Sequence, residues 1–389
     1  MKKVLRIINR FNLGGPTYNA AYLTKYLPNE YETLLVGGQH DKSEASSSHI
    51  LEDLNLDPII IPEMRREINF KNDRIAFQKI KKLIHDFKPD IVHTHASKAG
   101  AIGRIAAHKA GVKQIYHTFH GHVFHSYFGK TKTTFYKNLE RYLAKKSTKI
   151  IAISEIQKHE LVNIHKICKA DKVEVIPLGF DLERFKENQE NKRALFRKEW
   201  NIKENEIAIG IIGRIVPIKD HEFFIDVIEK TLEKTNKNLR FFVIGDGESK
   251  QTIIDYAQRK SISTSTNSNT ATIQFTSWIK DIDVANAGLD IICLSSKNEG
   301  TPVSLIEAQA SYKPIVSTKI GGIDDVVIND KTALLSEVGD HKAYVINLNK
   351  LIHDEQLRKT FAYNAKNQTN KFTYNRLVND IDKLYKYIL

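Results

Sequence analysis

The chain has 389 residues, which is too long for one ordinary core. Of these residues 41% are hydrophobic and 27% charged, a composition that excludes a disordered protein. The net charge of +13 is concentrated in one half: residues 1–180 contain 29 Lys and Arg against 17 Asp and Glu, whereas the remainder contains 30 against 29. Two distant cysteines favour a reducing compartment, and no apolar run approaches the ~18 residues of a membrane span.

The first residues, Met1–Ile8, are charged and then apolar. A signal peptide needs a longer apolar stretch, and Arg6 and Arg10 interrupt this one. We therefore predict a first buried strand here and a cytoplasmic protein.

Short β-branched apolar runs then alternate with segments of helical period. The first series of predicted strands is Val4–Ile8, Thr33–Val36, Ile91–His93, Ile115–Thr118, Ile150–Ile153 and Val173–Ile176. The second series is Ile207–Ile212, Phe241–Ile244, Ile273–Phe275, Ile291–Leu294, Ile315–Ser317 and Ala333–Leu335. Predicted helices include Asp73–Phe87, Phe135–Lys145, His221–Lys234 and Thr301–Ala310. The alternation predicts an α/β protein with two doubly wound, Rossmann-like parallel sheets, joined near residues 177–181.

Two segments near the first strands are candidate ligand loops. Gly14-Gly15-Pro16 follows the first strand and precedes a helix, where Gly15 allows close approach of an anion, although a plain tight turn is an equal alternative. His120 and Gly121 end the strand Ile115–Phe119, and we predict that His120 contacts substrate.

The polar tract 261–272 is instead predicted to be a solvated loop.

Histidines are frequent between residues 93 and 125, at His93, His95, His117, His120, His122 and His125. A metal site is disfavoured because cysteines are absent nearby and no HExxH spacing occurs. We interpret His117 and His125 as surface residues.

The segment 122–137 mixes the aromatic residues Phe124, Tyr127, Phe128, Phe135 and Tyr136 with lysines. Residues 71–150 as a whole contain 17 basic and 4 acidic residues. Such a mixture suits an anionic membrane surface or stacking on single-stranded nucleic acid. An amphipathic helix with Phe135 and Tyr136 in the core is the alternative.

The second half contains a pair of cations directly after a strand. Gly213 permits a sharp exit from Ile207–Ile212, and Arg214 and Lys219 then lie at the edge where parallel sheets bind ligands. Two cations there can clamp a diphosphate, whereas the plain alternative is two solvated charges.

Other strand ends carry turn or aromatic residues. Gly245-Asp246-Gly247 and Gly321-Gly322 are glycine-rich loops, and Trp278-Ile279 places an aromatic side chain at the same edge. Asp281 and Asp283 resemble a metal-binding pair but lack a partner ligand, so we interpret them as solvated or capping.

Two glutamates separated by seven intervening residues complete the set. Glu299 lies in the loop after Ile291–Leu294 and Glu307 lies on the next helix, which Thr301 or Ser304 is expected to cap. A carboxylate at that position can accept hydrogen bonds from sugar hydroxyls, although an isolated pair of glutamates is more often structural.

In their order, these motifs resemble the GT-B-fold retaining glycosyltransferases of family 4, the glycosyl transferases group 1 type. The resemblance covers essentially the whole chain and is strongest at IIGRIVPIKD, FVIGDGESK, FTSWIKDI and SSKNEGTPVSLIEAQASYKPIVSTKIGGIDDVV. It implies an acceptor-binding domain at 1–178, a nucleotide-sugar domain at 179–373, and a final helix at about 374–389 that crosses back to the first domain. Two departures are Leu178, where the family has asparagine, and Ile279, where it often has arginine.

By this resemblance the site residues have assigned roles. Arg214 and Lys219 hold the donor diphosphate, Glu307 binds the ribose, Gly15 approaches the diphosphate, and His120 touches the donor sugar. Catalytic residues are expected to be His120, Arg214, Lys219 and Glu299. Donor-binding residues are expected to be Gly15, Gly213, Arg214, Lys219, Trp278, Ile279, Glu299, Gly300, Thr301, Pro302, Val303 and Glu307.

The resemblance further implies transfer with retained anomeric configuration and without a metal or other cofactor. The expected donor is a UDP-hexose or UDP-N-acetylhexosamine, and the expected acceptor is a lipid-linked or saccharide hydroxyl in surface polysaccharide or glycolipid synthesis. We expect docking on the inner face of the cytoplasmic membrane. A nucleotide-sugar epimerase of similar architecture and a basic nucleic-acid-binding protein are the alternatives, and the second leaves the motifs of the neutral half unexplained.

Overall fold

The computed structural model describes residues 1–12, 14–40, 47–65, 67–121, 130–266 and 271–387. The described chain divides into two compact units. The N-terminal unit comprises residues 1–180 and 371–389, and the C-terminal unit comprises residues 181–370.

The N-terminal unit contains a seven-stranded sheet whose described strands all pair in parallel. Its strands are β1 (Lys2–Arg10), β2 (Tyr31–Gly38), β3 (Ile59–Ile60), β4 (Ile91–His95), β5 (Gln114–Thr118), β6 (Lys149–Ala152) and β7 (Val173–Val175). Their order is β3-β2-β1-β4-β5-β6-β7. The strand order therefore reverses between β1 and β4, and doubly wound sheets bind ligands at such a point.

The C-terminal unit repeats this plan with a second seven-stranded parallel sheet. Its strands are β8 (Glu206–Ile212), β9 (Asn238–Ile244), β10 (Thr264–Ser265), β11 (Ile273–Ser277), β12 (Ile291–Leu294), β13 (Ile315–Thr318) and β14 (Ala333–Ser336). The order is β10-β11-β9-β8-β12-β13-β14, with the reversal between β8 and β12.

Helices connect the strands of both sheets. They are α1 (Gly15–Tyr26), α2 (Ser48–Asp53), α3 (Phe70–Phe87), α4 (Ser97–Lys109), α5 (Lys130–Lys146), α6 (Glu155–His159), α7 (Glu183–Lys186), α8 (Gln189–Glu199), α9 (His221–Leu232), α10 (Lys250–Arg259), α11 (Ile282–Gly288), α12 (Val303–Ala310), α13 (Ile323–Val326), α14 (His341–His353), α15 (Glu355–Ala365) and α16 (Tyr374–Tyr387). No helix in the described part of the chain is both long and apolar enough to span a bilayer.

Central strands are buried on both faces, as parallel sheets covered by helices require. All four residues of β12 are buried, and so are all five of β4 although three of them are polar. The predicted α/β class with two Rossmann-like sheets is therefore confirmed.

The last helix, α16, packs on the N-terminal unit. Its residues Leu377, Ile381 and Tyr385 share a buried cluster with Val4 and Tyr116. A hydrogen bond from the hydroxyl of Tyr31 to Asp382, at 2.9 Å, also joins α16 to β2.

Within the fold, two sequence predictions are wrong and one strand was not predicted. The tract 261–272 is not wholly a loop, because Thr264–Ser265 forms the edge strand β10 beside β11. Edge strand β3 was missed because it has two half-exposed isoleucines and no alternating pattern. His117 is fully buried rather than on the surface, since β5 lies inside the sheet. His122 and His125 lie outside the described residues.

Candidate functional site

Five loops of the C-terminal unit follow the carboxyl ends of its strands. They are residues 213–220 after β8, 245–249 after β9, 278–281 after β11, 295–302 after β12 and 319–322 after β13. Because all these strands are parallel, the loops share one edge of the sheet. The predicted donor-site residues Gly213, Arg214, Lys219, Trp278, Ile279 and Glu299–Pro302 lie in these loops, and Val303 and Glu307 lie on α12, which follows the loop after β12.

The loop after β8 is fixed to the loop after β9 by backbone contacts. The amide of Gly213 donates to the carbonyl of Ile244 at 2.9 Å, and that of Ile215 donates to Asp246 at 2.9 Å. At Gly245, with φ of 142°, an added Cβ would lie 1.9 Å from the carbonyl oxygen of Gly213. Only glycine at position 245 allows this approach, which fixes the position of Gly213 and therefore of Arg214, the residue after it.

Arg214 is exposed, and its guanidinium makes no ion pair or side-chain hydrogen bond with the described residues. An arginine without a partner at a sheet's ligand-binding edge is available for an anionic ligand.

Lys219 lies at the end of a short 3₁₀ helix, Pro217–Lys219, which is fixed to the loop after β12. Its carbonyl accepts from the hydroxyl of Ser295 at 2.8 Å, and the amide of Lys297 donates to Ile218 at 2.9 Å. Lys219 Nζ lies 2.5 Å from Glu299 Oε1. The structure thereby joins two predicted site residues that are 80 positions apart.

Glu299 is almost covered, with 9% of its side chain exposed. The hydroxyl of Ser296 donates to the same Oε1 at 2.6 Å. Sequence reasoning missed Ser296 and Ser295. Their one sequence signal is the Ser-Ser pair that directly follows the buried strand β12.

The glycine pair after β13 supports the loop that carries Glu299. At Gly322 an added Cβ would lie 1.7 Å from the carbonyl oxygen of Gly300. The amide of Gly322 also donates to the carbonyl of Glu299 at 3.1 Å. Backbone thus packs directly on backbone, so a side chain at position 322 must displace the segment 299–301.

We expect Gly322→Ala to weaken UDP binding about tenfold, because relieving such a clash costs about 1–3 kcal/mol and moves the loop. Isothermal titration with UDP measures this. Gly339→Ala is the control, because its φ of 84° strains alanine while no atom lies within 4 Å of the added Cβ. Equal UDP affinity in all three proteins would contradict the supporting role.

Helix α12 begins without a side-chain cap. Its N-cap residue is Pro302, which has no side-chain hydrogen bond to offer, so the predicted capping by Thr301 or Ser304 is wrong. The first amides of the helix are left for an anionic ligand together with the positive end of the helix dipole.

Glu307 lies in the second turn of α12. Burial raises the pKa of its carboxyl to about 7, opposed by the nearby charge of Arg184 and aided by that of Asp283. The residue keeps partial solvent exposure, although its carboxyl group is largely enclosed by protein. A carboxylate that is poorly solvated in this way gains most from hydroxyl donors.

Trp278 follows β11 and is 44% exposed, while Ile279 beside it is half-buried. The preceding residue, Ser277, has φ of 57°, and its carbonyl accepts from the amide of Gly245 at 3.0 Å. This contact fixes the turn that presents the indole at the sheet edge. An exposed flat ring there has the form needed to stack on a base.

Asp281 is exposed, as predicted, whereas Asp283 differs from the prediction. Asp281 is the N-cap residue of α11 without a side-chain bond, and Asp283 is buried and pairs with Lys192 at 2.9 Å. Among the described residues no group of three or more His, Cys, Asp or Glu has metal-binding geometry.

In the N-terminal unit, Gly15 and His120 both follow sheet strands at the carboxyl edge. Gly15 is the first residue of α1. The start of this helix is held by the hydroxyl of Thr17, which donates to the carbonyl of Asn12 at 2.7 Å. His120 follows β5, and its Nδ1 is buried without a hydrogen-bond partner among the residues that the structure describes.

The basic and aromatic segment is partly described. Phe135 is 64% exposed on α5, which contradicts a core position, whereas Tyr136 packs against a buried cluster. Phe124, Tyr127 and Phe128 lie outside the described residues.

Comparison with known proteins gives consistent matches. Residues 13–184 match the family described as Glycosyltransferase Family 4, and residues 192–368 match Glycosyl transferases group 1. A UDP-Gal:alpha-D-GlcNAc-diphosphoundecaprenol alpha-1,3-galactosyltransferase of Escherichia coli is 30% identical over 84% of this chain and 82% of its own. The capsular polysaccharide biosynthesis glycosyltransferase CapM of Staphylococcus aureus is 30% identical over 85% of both chains.

The fold is also similar to solved structures. The Anabaena protein HepE, crystallised with UDP, superposes with a TM-score of 0.82 at 19% identity, over 100% of both chains. This likeness concerns the fold and agrees with the predicted GT-B class.

Proposed function

Because this chain belongs to the glycosyl transferases group 1 family, the family 4 glycosyltransferases, we propose that it transfers a hexose or N-acetylhexosamine from its UDP-sugar, with retained anomeric configuration. The acceptor we propose is a hydroxyl of a lipid-linked or saccharide intermediate of surface polysaccharide. One observation carries the proposal. Arg214, which pairs with no side chain among the described residues, and the Lys219–Glu299 pair lie at the same sheet edge as the start of α12, where the N-cap residue Pro302 makes no side-chain hydrogen bond.

The relatives support the choice of substrates. The Escherichia coli relative is named for a UDP-Gal donor and a diphosphoundecaprenol-linked acceptor, and the Staphylococcus aureus relative for capsular polysaccharide. HepE was crystallised with UDP. Exposed Trp278 is suited to stack on a base and does not by itself select uracil.

In the proposed chemistry the bond between the anomeric carbon and the diphosphate breaks, and the acceptor oxygen bonds to that carbon. The leaving diphosphate gains negative charge, which Arg214, Lys219 and the first amides of α12 stabilise. The donor phosphate is proposed to take the acceptor's proton. Glu299 holds Lys219 in place until the diphosphate arrives.

The experiment that tests this function is a thermal-shift screen of UDP-, GDP- and ADP-sugars, followed by hydrolysis of the best binder. We expect UDP-sugars to give the largest shift. If no nucleotide-sugar shifts the melting temperature or is hydrolysed, the proposal fails. An epimerase would convert the sugar without an acceptor and leave no hydrolysed or transferred product.

We expect activity to persist in excess EDTA, because fixed cations rather than a divalent ion neutralise the leaving diphosphate in the proposed reaction. Initial rates with and without EDTA measure this, with a Mn²⁺-dependent transferase as the control for effective chelation. Complete loss of activity, restored by added divalent metal, would refute the metal-free proposal.

The proposed location is the inner face of the cytoplasmic membrane. On α5, Phe135 and Tyr142 are 64% and 51% exposed, and the exposed Lys132 and Lys145 lie on the same helix. Exposed rings beside lysines suit the interface of an anionic bilayer.

We expect the protein to float with vesicles of anionic lipid, and the double variant Lys132→Glu, Phe135→Ser to bind them about tenfold more weakly, since each basic residue near the surface contributes about 1 kcal/mol. The double variant Leu195→Ser, Lys342→Glu alters an exposed leucine and an exposed lysine of the C-terminal unit and serves as the matched control. Absence of vesicle binding by the unsubstituted protein would count against membrane docking.

A further inference from the structure

Strand β1 carries a fully buried arginine, Arg6, that has no carboxylate partner among the described residues. Its guanidinium instead donates to the hydroxyl of Thr24 at 3.2 Å and the carbonyl of Leu23 at 3.4 Å. Its Nη1 lies 3.1 Å from His93 Nδ1 and 3.5 Å from His95 Nε2. A buried cation is costly unless neighbouring groups compensate it, and here neutral acceptors surround it.

The arginine determines which ring nitrogens carry hydrogen. A guanidinium can only donate, so the nitrogen of His95 that faces it, Nε2, is an acceptor. Burial lowers the pKa of His95 well below its ordinary value, and the charge of Arg6 lowers it further. A neutral imidazole has one N–H, and in His95 that hydrogen is therefore on Nδ1.

The tautomer of His95 in turn determines the tautomer of His120. His95 Nδ1 lies 3.0 Å from His120 Nε2, so Nε2 of His120 accepts and its own hydrogen is on Nδ1. Burial lowers the pKa of His120 to about 3, which keeps the ring neutral. Its Nδ1 is buried and has no partner within the described residues. Within the described part of the chain, the series of contacts thus ends on an N–H without an acceptor.

His93 holds the middle ring of this chain in place. Its ring stacks on that of His95 with centroids 4.4 Å apart and planes inclined by 23°. His93 is itself fixed at both nitrogens, because Nδ1 lies 2.6 Å from the hydroxyl of Tyr385 and Nε2 lies 2.8 Å from the hydroxyl of Thr118. Helix α16 therefore helps to hold His95 in the orientation that reaches His120.

We propose that His95 is a positioning residue which, backed by Arg6, fixes His120 as the tautomer with hydrogen on Nδ1. His120 then presents a donor, not a lone pair, to an oxygen of the transferred sugar. The second statement rests on the proposed function, whereas the tautomer does not. A buried N–H without an acceptor is unfavourable, and a sugar oxygen would satisfy it on binding.

The test measures the tautomer and the turnover separately. Protein labelled with ¹⁵N in its histidines gives the protonated nitrogen of each ring from long-range ¹H–¹⁵N correlations, with the His120 signals identified by their loss in His120→Gln. We expect His120 to carry its hydrogen on Nδ1 in the ligand-free protein. Hydrogen on Nε2 would overturn the proposal. This measurement does not depend on the folding of any His95 variant.

Two variants of nearly equal shape separate positioning from packing. In His95→Asn the side-chain amide keeps a donor near the former Nδ1, whereas His95→Leu has none. We expect His95→Leu to lower kcat with the UDP-sugar about tenfold and to shift His120 toward hydrogen on Nε2, with the Kd for UDP unchanged. His95→Asn should restore both kcat and the tautomer.

The outcomes are distinguishable. Equal loss of kcat in both variants with an unchanged His120 tautomer would mean that His95 only packs, and would overturn the proposal. A correct tautomer in a protein that turns over no nucleotide-sugar would leave the hydrogen-bond chain intact and refute the proposed function instead.

Discussion

Arg214→Ala should lower kcat roughly 10²–10³-fold, the loss that follows removal of one charge-stabilising donor from a preorganised site. Arg214 is exposed and its guanidinium makes no ion pair or side-chain hydrogen bond with the described residues, so its removal should leave the melting temperature unchanged. Steady-state kinetics with the best nucleotide-sugar, alongside thermal melts, measure both effects.

Lys219→Ala provides an informative contrast. Turnover should fall by a similar factor, but this lysine is the cationic partner of the nearly covered Glu299. Its removal leaves that carboxylate with the hydroxyl of Ser296, so we also expect a stability loss of about 1 kcal/mol. Lys342→Ala, at an exposed lysine of α14, is the control and should alter neither property. Full activity in both site variants would refute the assigned roles.

Glu307→Gln should weaken UDP binding about 10–100-fold and, at pH 8, stabilise the fold. The binding loss reflects the loss of a charged acceptor for the ribose hydroxyls, which contributes about 1.5–3 kcal/mol. Titration calorimetry with UDP measures it. Glu337→Gln, at an exposed carboxylate of the same unit, should change neither binding nor stability.

The stability effect follows from the pKa of Glu307, which burial raises from 4.5 to about 7. Between these values the folded protein binds the proton more tightly than the unfolded chain, so the free energy of unfolding falls as pH rises through this window. Above pH 7 the ionised carboxylate costs on the order of 2 kcal/mol, which glutamine avoids. The variant should therefore melt higher than the unsubstituted protein at pH 8 and at nearly the same temperature at pH 4.5. No difference at pH 8 would contradict the raised pKa.

Many of the residues at the ligand-binding edge of the C-terminal sheet were predictable, because they directly follow buried strands. Gly213 and Arg214 follow β8, Trp278 follows β11, and Glu299 lies within the loop after β12. Parallel pairing then places all of them at one edge. The assignment of roles came from a resemblance in the order of the motifs, and the family membership is confirmed.

The sequence by itself determined what local periodicity and order encode, namely the long buried strands, the helices between them and the loops that end each strand. Edge strands β3 and β10 were not predictable, because a strand of two residues has no period and forms only beside an existing strand.

The tertiary structure alone decided which distant groups meet. It pairs Lys219 with Glu299, buries His117, and brings Tyr385 of α16 to His93 across 292 positions. No pattern within a short window records such contacts. They arise when separate elements pack together, and burial then sets the charge and the hydrogen positions of the groups they enclose.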